Sequence, residues 1–275
     1  GPPRVMDDWT AGSTTEEAAP VWLEEVAPEF FSLARVLGVR TAELHHALSR
    51  AEGEDLRPVD APSDAGENLA RRLRSELEET RELLEQHDDP SPPQTLSEDD
   101  WNEAYTRIRR LEDLNGAHQL IRIHGDYHLG QLLRAEGDFY ILDFEGEPAR
   151  PLEERRLREN ALRDVAGILR SLEYAVLAAW QEHAETDPDY APWIDALLRW
   201  SEATFLNAYA DTAEDAAYLP PTPARYSFLW AYLFQKAIYE VRYELNHRPD
   251  WAWLPLRGLR RLLGHETESA APLSE

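Results

Sequence analysis

Apolar residues recur at helical spacing along most of the chain and give way to strand-like alternation in one stretch only. Ser13-Thr14-Thr15, with Glu16 and Glu17 behind it, predicts a helix start, and apolar positions follow at Trp22, Val26, Phe30, Leu33, Ala34 and Leu37. Gly38 is placed to end that helix, and a second is expected from Thr41 to Ala51 with Leu44 and Leu48 on one face. A loop rich in Pro, Asp and Gly then runs to about Gly66. Asn68 to Gln86 reads as a long charged helix whose narrow stripe of Leu69, Leu73, Leu77 and Leu84 marks it as a surface helix. Pro90-Ser91-Pro92-Pro93 breaks the chain, and Ser97-Glu98-Asp99-Asp100 opens a helix through Leu114 that Asn115-Gly116 stops.

The period then changes. Leu120-Ile121-Arg122-Ile123, Gln131-Leu132-Leu133-Arg134 and Phe139-Tyr140-Ile141-Leu142 are short strand-like runs, and they are the strands the sequence predicts. From Glu159 onward the helical period returns, over Ala161 to Trp180, Trp193 to Ala210, Tyr226 to His247 and Pro255 to Leu263. There is no internal repeat. The fold class is therefore α+β and mostly α-helical, with a small central β insertion.

Composition narrows the partners. The 28 basic against 53 acidic residues give a formal charge of −25, which repels nucleic-acid phosphates and anionic membrane surfaces, so neither partner is expected. Such a field also repels a free nucleoside triphosphate, so a site for one calls for a local cation, most simply Mg²⁺. Without cysteine there is no disulfide framework and no thiolate metal site. No apolar run approaches the roughly 20 residues of a membrane span, and no signal-peptide pattern opens the sequence. The expectation is a soluble, cytoplasmic protein.

The informative residues sit in the β insertion. Asp126 follows His124-Gly125 directly after an apolar run; Gln131 comes five residues later, and Asp143 closes the last apolar run twelve residues beyond. Phosphoryl transfer needs a carboxylate to accept the proton of the attacking hydroxyl and oxygen ligands to hold Mg²⁺ on the nucleotide phosphates. The protein kinase template places an Asp, an Asn five residues on, and then the Asp of a metal loop. Here Gln131 stands in place of Asn, with an amide oxygen of the same hardness. A lone His-Gly-Asp turn is more often a satisfied turn than a catalytic base, and it is the joint pattern that points to kinase chemistry. His124 reads as a brace for the loop. His128 is either loop support or a neighbour of the transferred group, and Glu145 is either a second metal position or an acidic turn residue.

His124-Gly125-Asp126-Tyr127-His128-Leu129-Gly130-Gln131, Leu142-Asp143-Phe144-Glu145-Gly146-Glu147-Pro148 and Leu162-Arg163-Asp164-Val165-Ala166-Gly167 together resemble the bacterial maltokinases, within the aminoglycoside phosphotransferase-like kinases. The likeness extends to Leu37 through His45 and to Lys236 through Glu244, and covers about residues 15 to 265. It implies a eukaryotic-protein-kinase-like C-terminal lobe that uses ATP and Mg²⁺ to phosphorylate maltose to maltose 1-phosphate, in carbohydrate metabolism leading from trehalose toward glycogen. Trehalose synthase is the fused or associated partner that the resemblance suggests. In it Asp126 is the base, Gln131 and Asp143 hold Mg²⁺, and Asp164 is a structural partner of the catalytic loop. Lys236, Tyr239, Glu240 and Tyr243 fall at i, i+3, i+4 and i+7 and are expected on one sugar-facing helix face, the alternative being a buried polar stripe. Of the tryptophans, most are assigned to the core and one or two to the substrate.

A bilobal kinase also carries an N-terminal β lobe with a phosphate-covering loop and a strand lysine. The first hundred residues show neither, and the single lysine is Lys236. The expectation is the C-lobe of a longer kinase: residues 1–14 linker or cloning remnant, 15–265 the lobe with its catalytic and metal loops at 120–148, and 266–275 a frayed tail. The rival enzymatic reading is a glucosamine or related sugar kinase, in which Glu147 or Glu240 would meet the amine. The rival from another class is a non-catalytic module that binds a sugar or a partner.

Overall fold

Helix α1 spans Pro28–Ser49 and runs straight through Gly38, so the two helices expected around that glycine are one. Gly38 serves packing instead. A Cβ there would drive into the backbone carbonyl of Phe205, and its absence lets α1 lie against α6, Ala191–Ala213, at backbone contact. Close approach of this kind is the use of a glycine inside a helix that offsets its poor propensity. The computed structural model describes residues 25, 27–86, 96–114, 117–148, 150–181 and 191–264. The helix start at Ser13–Thr15 and the positions Trp22 and Val26 lie outside those residues, as do Pro90 to Pro93, Asn115-Gly116 and the tail.

Strand β1, Val59–Asp60, pairs antiparallel with β2, Gln119–Leu120. The first of these lies in the stretch expected to be loop, and two residues are too few to show alternation. Beyond Leu120 the expected strand does not continue; Ile121 makes a single bridge to Glu159. The other two runs form the hairpin β3, Leu132–Ala135, and β4, Asp138–Ile141, in the register Leu132 to Ile141 and Leu133 to Tyr140. Arg40 of α1 clamps this hairpin by donating from Nε and Nη2 to the two carboxylate oxygens of Asp138, at 2.8 and 2.7 Å.

The remaining elements are helical. Helix α2, Ala65–Gln86, buries Leu69, Leu73, Leu77 and Leu84 as one stripe and leaves its charged face in water. Helix α3, Glu98–Leu111, opens on a capping box in which Ser97 Oγ receives the N–H of Asp100 and Asp100 Oδ2 receives the N–H of Ser97. The short α4, Leu152–Arg155, precedes α5, Leu162–Gln181. Helix α7, Ala224–His247, is the axle, touching α2, α3, α5 and α8, Trp253–Leu262. Its apolar positions are nearly all buried, from Phe228 through Leu245, which fixes its rotation and so the direction of its few polar residues. The described fold is thus mostly helical with two small antiparallel sheets. No helix among the described residues is long and apolar enough to cross a membrane.

Candidate active site

The His124-Gly125-Asp126 turn is held from behind by α5. Asp164, in the first turn of α5 and buried, accepts the backbone N–H of His124 at 2.7 Å and of Gly125 at 2.9 Å. Its Oδ2 also lies 3.3 Å from His45 Nε2, whose Nδ1 meets the Tyr209 hydroxyl at 2.9 Å. Burial pushes the Asp164 carboxyl up, yet the bonds from His45 and Gly125 and the nearby His45 and His124 rings outweigh it and hold the group below its ordinary value. A charged carboxylate is therefore built into the loop's foundation.

Gly125 has φ +85°, a left-handed conformation that L side chains rarely adopt, and a Cβ there would stand 3.3 Å from the Cα of Gly146. The His124 ring bridges the same two loops. Its Nε2 donates to the Leu142 carbonyl at 2.7 Å, Nδ1 accepts the N–H of Asp126 at 3.3 Å, and its faces meet Tyr127 and Phe144. Tyr127 is buried, its hydroxyl 3.1 Å from Thr41 Oγ1, and Gly167 of α5 approaches the Tyr127 carbonyl so closely that a Cβ has no room. Leu129 donates its N–H to Ser171 Oγ of α5 at 3.0 Å. Every residue from His124 to Leu129 except Asp126 and His128 thus turns its chain or ring into the scaffold.

Asp126 lines the cleft instead and His128 stands beside it, both half-buried, with His128 Nε2 3.8 Å from Asp126 Oδ2. His128 Nδ1 caps the short 3₁₀ turn Leu129–Gln131 by accepting the N–H of Gly130 at 3.0 Å. Burial lowers the His128 pKa, Asp126 opposes that, and the Lys236 charge adds to it, so the ring is neutral at pH 7.

Gln131 lies at the hairpin's open end, where Leu142, the residue before Asp143, donates its N–H to the Gln131 carbonyl at 2.9 Å. Asp143 is exposed and sits at φ +59°, a left-handed conformation that Asp tolerates better than most residues. One amide oxygen and one carboxylate suit Mg²⁺, which takes few protein ligands and completes its shell with phosphate and water. Among the described residues no group of three His, Asp or Glu forms an all-protein cage. Glu145 is exposed in the turn beyond Asp143.

Opposite the loop lies a cleft of about 240 Å³ whose lining includes Asp126, Glu76 of α2, Glu147, and Gln235, Lys236 and Tyr239 of α7. Lys236 Nζ stands 5.0 Å from the Tyr239 ring centroid. The other two residues expected on that helix face turn elsewhere. Glu240 accepts from Nε and Nη2 of the buried Arg170 at 3.1 and 2.6 Å, and Tyr243 is exposed and stacked on His247. The four positions share one face but extend along nearly two turns of the axis, and what packs beside each turn divides them between cleft, interior and solvent. Among the described residues no tryptophan lines the cleft, whose tyrosines are Tyr127, Tyr232 and Tyr239. Glu147 is bound by Arg163 at 3.1 Å, and Glu159 joins Arg150 and Arg163 at 2.6 and 2.5 Å, so the rim is a charge network. Sequence reading had no handle on Glu76, Gln235 or these arginines, because they converge from four separate segments.

No protein-family model matches the chain. It is similar to the glucosamine kinase of Streptacidiphilus jiangxiensis, with 31% identity over 240 residues, 84% of this chain and 49% of that protein. The glucosamine kinase of Mycolicibacterium smegmatis is 30% identical over 271 residues, 97% of this chain and 62% of that protein. Among solved structures, glucosamine kinase in one crystal form superposes with a TM-score of 0.67 at 24% identity, over 94% of this chain and 55% of that one. Glucosamine kinase in complex with glucosamine, ADP and inorganic phosphate gives 0.66 at 25%, over 94% and 56%. These relatives are named for glucosamine, not maltose. The chain is homologous to glucosamine kinases along most of its length, and it spans about half to three-fifths of theirs.

Proposed function

We propose that this chain is the catalytic half of a sugar kinase that transfers the γ-phosphoryl group of ATP to a hydroxyl of glucosamine or a closely related hexose. The observation that carries the reading is the placement of Asp126: a carboxylate facing the cleft, at the tip of a loop that the buried Asp164 holds by two backbone N–H groups. Asp126 accepts the hydroxyl proton as the sugar oxygen bonds to phosphorus and the bond to the ADP oxygen breaks. Gln131 and Asp143 would hold Mg²⁺, which when bound offsets phosphate charge in a strongly acidic protein. Lys236, in the lining of the same cleft, supplies positive charge close enough to act on His128.

Two further points favour a hexose over maltose. The relatives are glucosamine kinases, and a cleft of about 240 Å³ is below the roughly 300–1,000 Å³ of drug-sized sites, which suits one sugar ring better than two. In this reading residues 15–265 are the catalytic lobe with its catalytic and metal loops at 120–148, and the gripping of ATP beyond the metal comes from outside the described residues. Phosphoryl transfer from labelled ATP to glucosamine, glucose and maltose, measured with the whole protein, tests it. Glucosamine is expected to be the best acceptor. Turnover of maltose at a higher kcat/KM reverses the substrate assignment, and turnover of no sugar overturns the kinase reading.

A further inference from the structure

Four carboxylates line the cleft, and three are already engaged. Asp164 is buried behind the loop and accepts from His124, Gly125 and His45; Glu147 is paired with Arg163; and Asp126 is the group that must stay free to take a hydroxyl proton. Glu240, next to the cleft residues on α7, is bound by Arg170. Glu76 is the fourth.

Glu76 sits on the buried edge of α2, half-buried, and both its oxygens receive the side-chain amide of Gln235, at 3.0 and 3.2 Å. An amide orients a carboxylate without neutralising it. No cation comes within ion-pair distance of Glu76 among the described residues: Arg242 is drawn to Glu79 at 2.7 Å, and it and Arg72 act on Glu76 only from further away. Burial pushes the Glu76 pKa up despite Gln235 and the two arginines, the mark of a charge held partly out of water without full compensation. A ligand that brings a positive charge relieves that penalty. A ligand that brings only hydroxyls does not.

We infer that Glu76, aimed by Gln235, is the carboxylate that receives the ammonium group of an aminosugar and so separates glucosamine from glucose in this cleft. The inference rests on the sugar-kinase reading and adds to it the residue that sets the substrate class. Glu147 and Glu240, the carboxylates that the sequence suggested for this role, are both occupied by arginines.

Calorimetric titration of the chain with glucosamine and with glucose at pH 7 provides the test. A hydrogen bond between charged partners is worth about 2- to 30-fold in affinity over a neutral one, so glucosamine is expected to bind tighter than glucose by that factor. Glu76→Gln should bring glucosamine down to about the level of glucose and weaken glucosamine far more than it weakens glucose. Gln235→Ala, which frees the carboxylate without removing it, should lower the preference only in part and guards against a variant that fails to fold. Equal binding of the two hexoses by the unaltered chain, or a preference that survives Glu76→Gln, overturns the assignment while leaving the kinase reading in place. Failure to bind either hexose overturns both.

Discussion

Asp164 receives the backbone N–H of His124 at 2.7 Å across 40 residues of sequence, and this bond makes the candidate catalytic loop part of the helical core. Removing the carboxylate leaves two buried N–H groups and the His45 ring without their acceptor. Asp164→Ala is expected to cost about 3–5 kcal/mol, readable as a lowered urea midpoint. The bonds also produce a pH dependence. The folded-state pKa is depressed, so the stabilisation is present above the ordinary value of 3.8 and is lost as pH falls through the folded value. The difference in stability between the natural chain and Asp164→Asn should therefore shrink below about pH 4; a constant difference from pH 3 to pH 7 would contradict a charged Asp164 as its source.

Asp126 offers the complementary case, because its carboxylate supports no described hydrogen bond in the scaffold. Asp126→Asn should leave the melting temperature unchanged and lower kcat by about 10²–10⁴-fold, the usual contribution of a general base. Retention of turnover in this variant would remove Asp126 from the chemistry.

Between those two lies a steric contact. Gly167 faces the Tyr127 carbonyl with no space for a methyl group, so Gly167→Ala must push α5 away from the loop. The expected cost is about 1–3 kcal/mol, with a fall in kcat larger than the fall in stability explains, since the shift is transmitted to Asp126. Gly38→Ala, equally crowded but against the Phe205 carbonyl of α6 and not against the loop itself, should lose stability with a smaller effect on kcat. Equal effects of the two on kcat would argue against a specific role for the α5 contact.

Arg170 is buried between Glu173 and Glu240, and Arg261 also reaches Glu173 at 3.0 Å. Burial lowers its pKa, and the two glutamates more than reverse that. Arg170→Met is expected to destabilise by about 3–5 kcal/mol, because two acids lose a buried partner. Arg170→Met with Glu240→Gln should recover part of the loss in a double-mutant cycle. The same pair should raise KM for sugar, as Glu240 stands one turn from Lys236 on α7.

Glu76 carries the opposite pH sign. Its folded-state pKa is raised, so its contribution favours the fold below the ordinary value of 4.5 and is lost as pH rises through the folded value. Without ligand, Glu76→Gln should be more stable than the natural chain at pH 7 and no different at pH 4. A loss of stability at pH 7 would show that the carboxylate is compensated within the protein.

The sequence by itself determined what spacing along the chain can encode. The leucine stripe of α2, the helix start at Ser97 and the two runs that pair as β3 and β4 each depend on residues within a few turns of one another, and each lies within a residue or so of where the pattern placed it. Gly38 was ambiguous for a physical reason: a glycine that ends a helix and one that admits a neighbouring backbone are the same letter, and only Phe205 distinguishes them. The i, i+3, i+4, i+7 face of α7 was legible as a face, but its division between the cleft, Arg170 and solvent was set by what packs around the helix. The cleft is the clearest case. Glu76 and Gln235 are 159 residues apart, each ordinary in its own helix, and the packing of α2 on α7 makes them one half-buried acid with an amide, and no ion pair among the described residues, beside it. Local order follows from the chain's own period; the charge environment of a side chain follows from its neighbours in space, and the tertiary structure chose those.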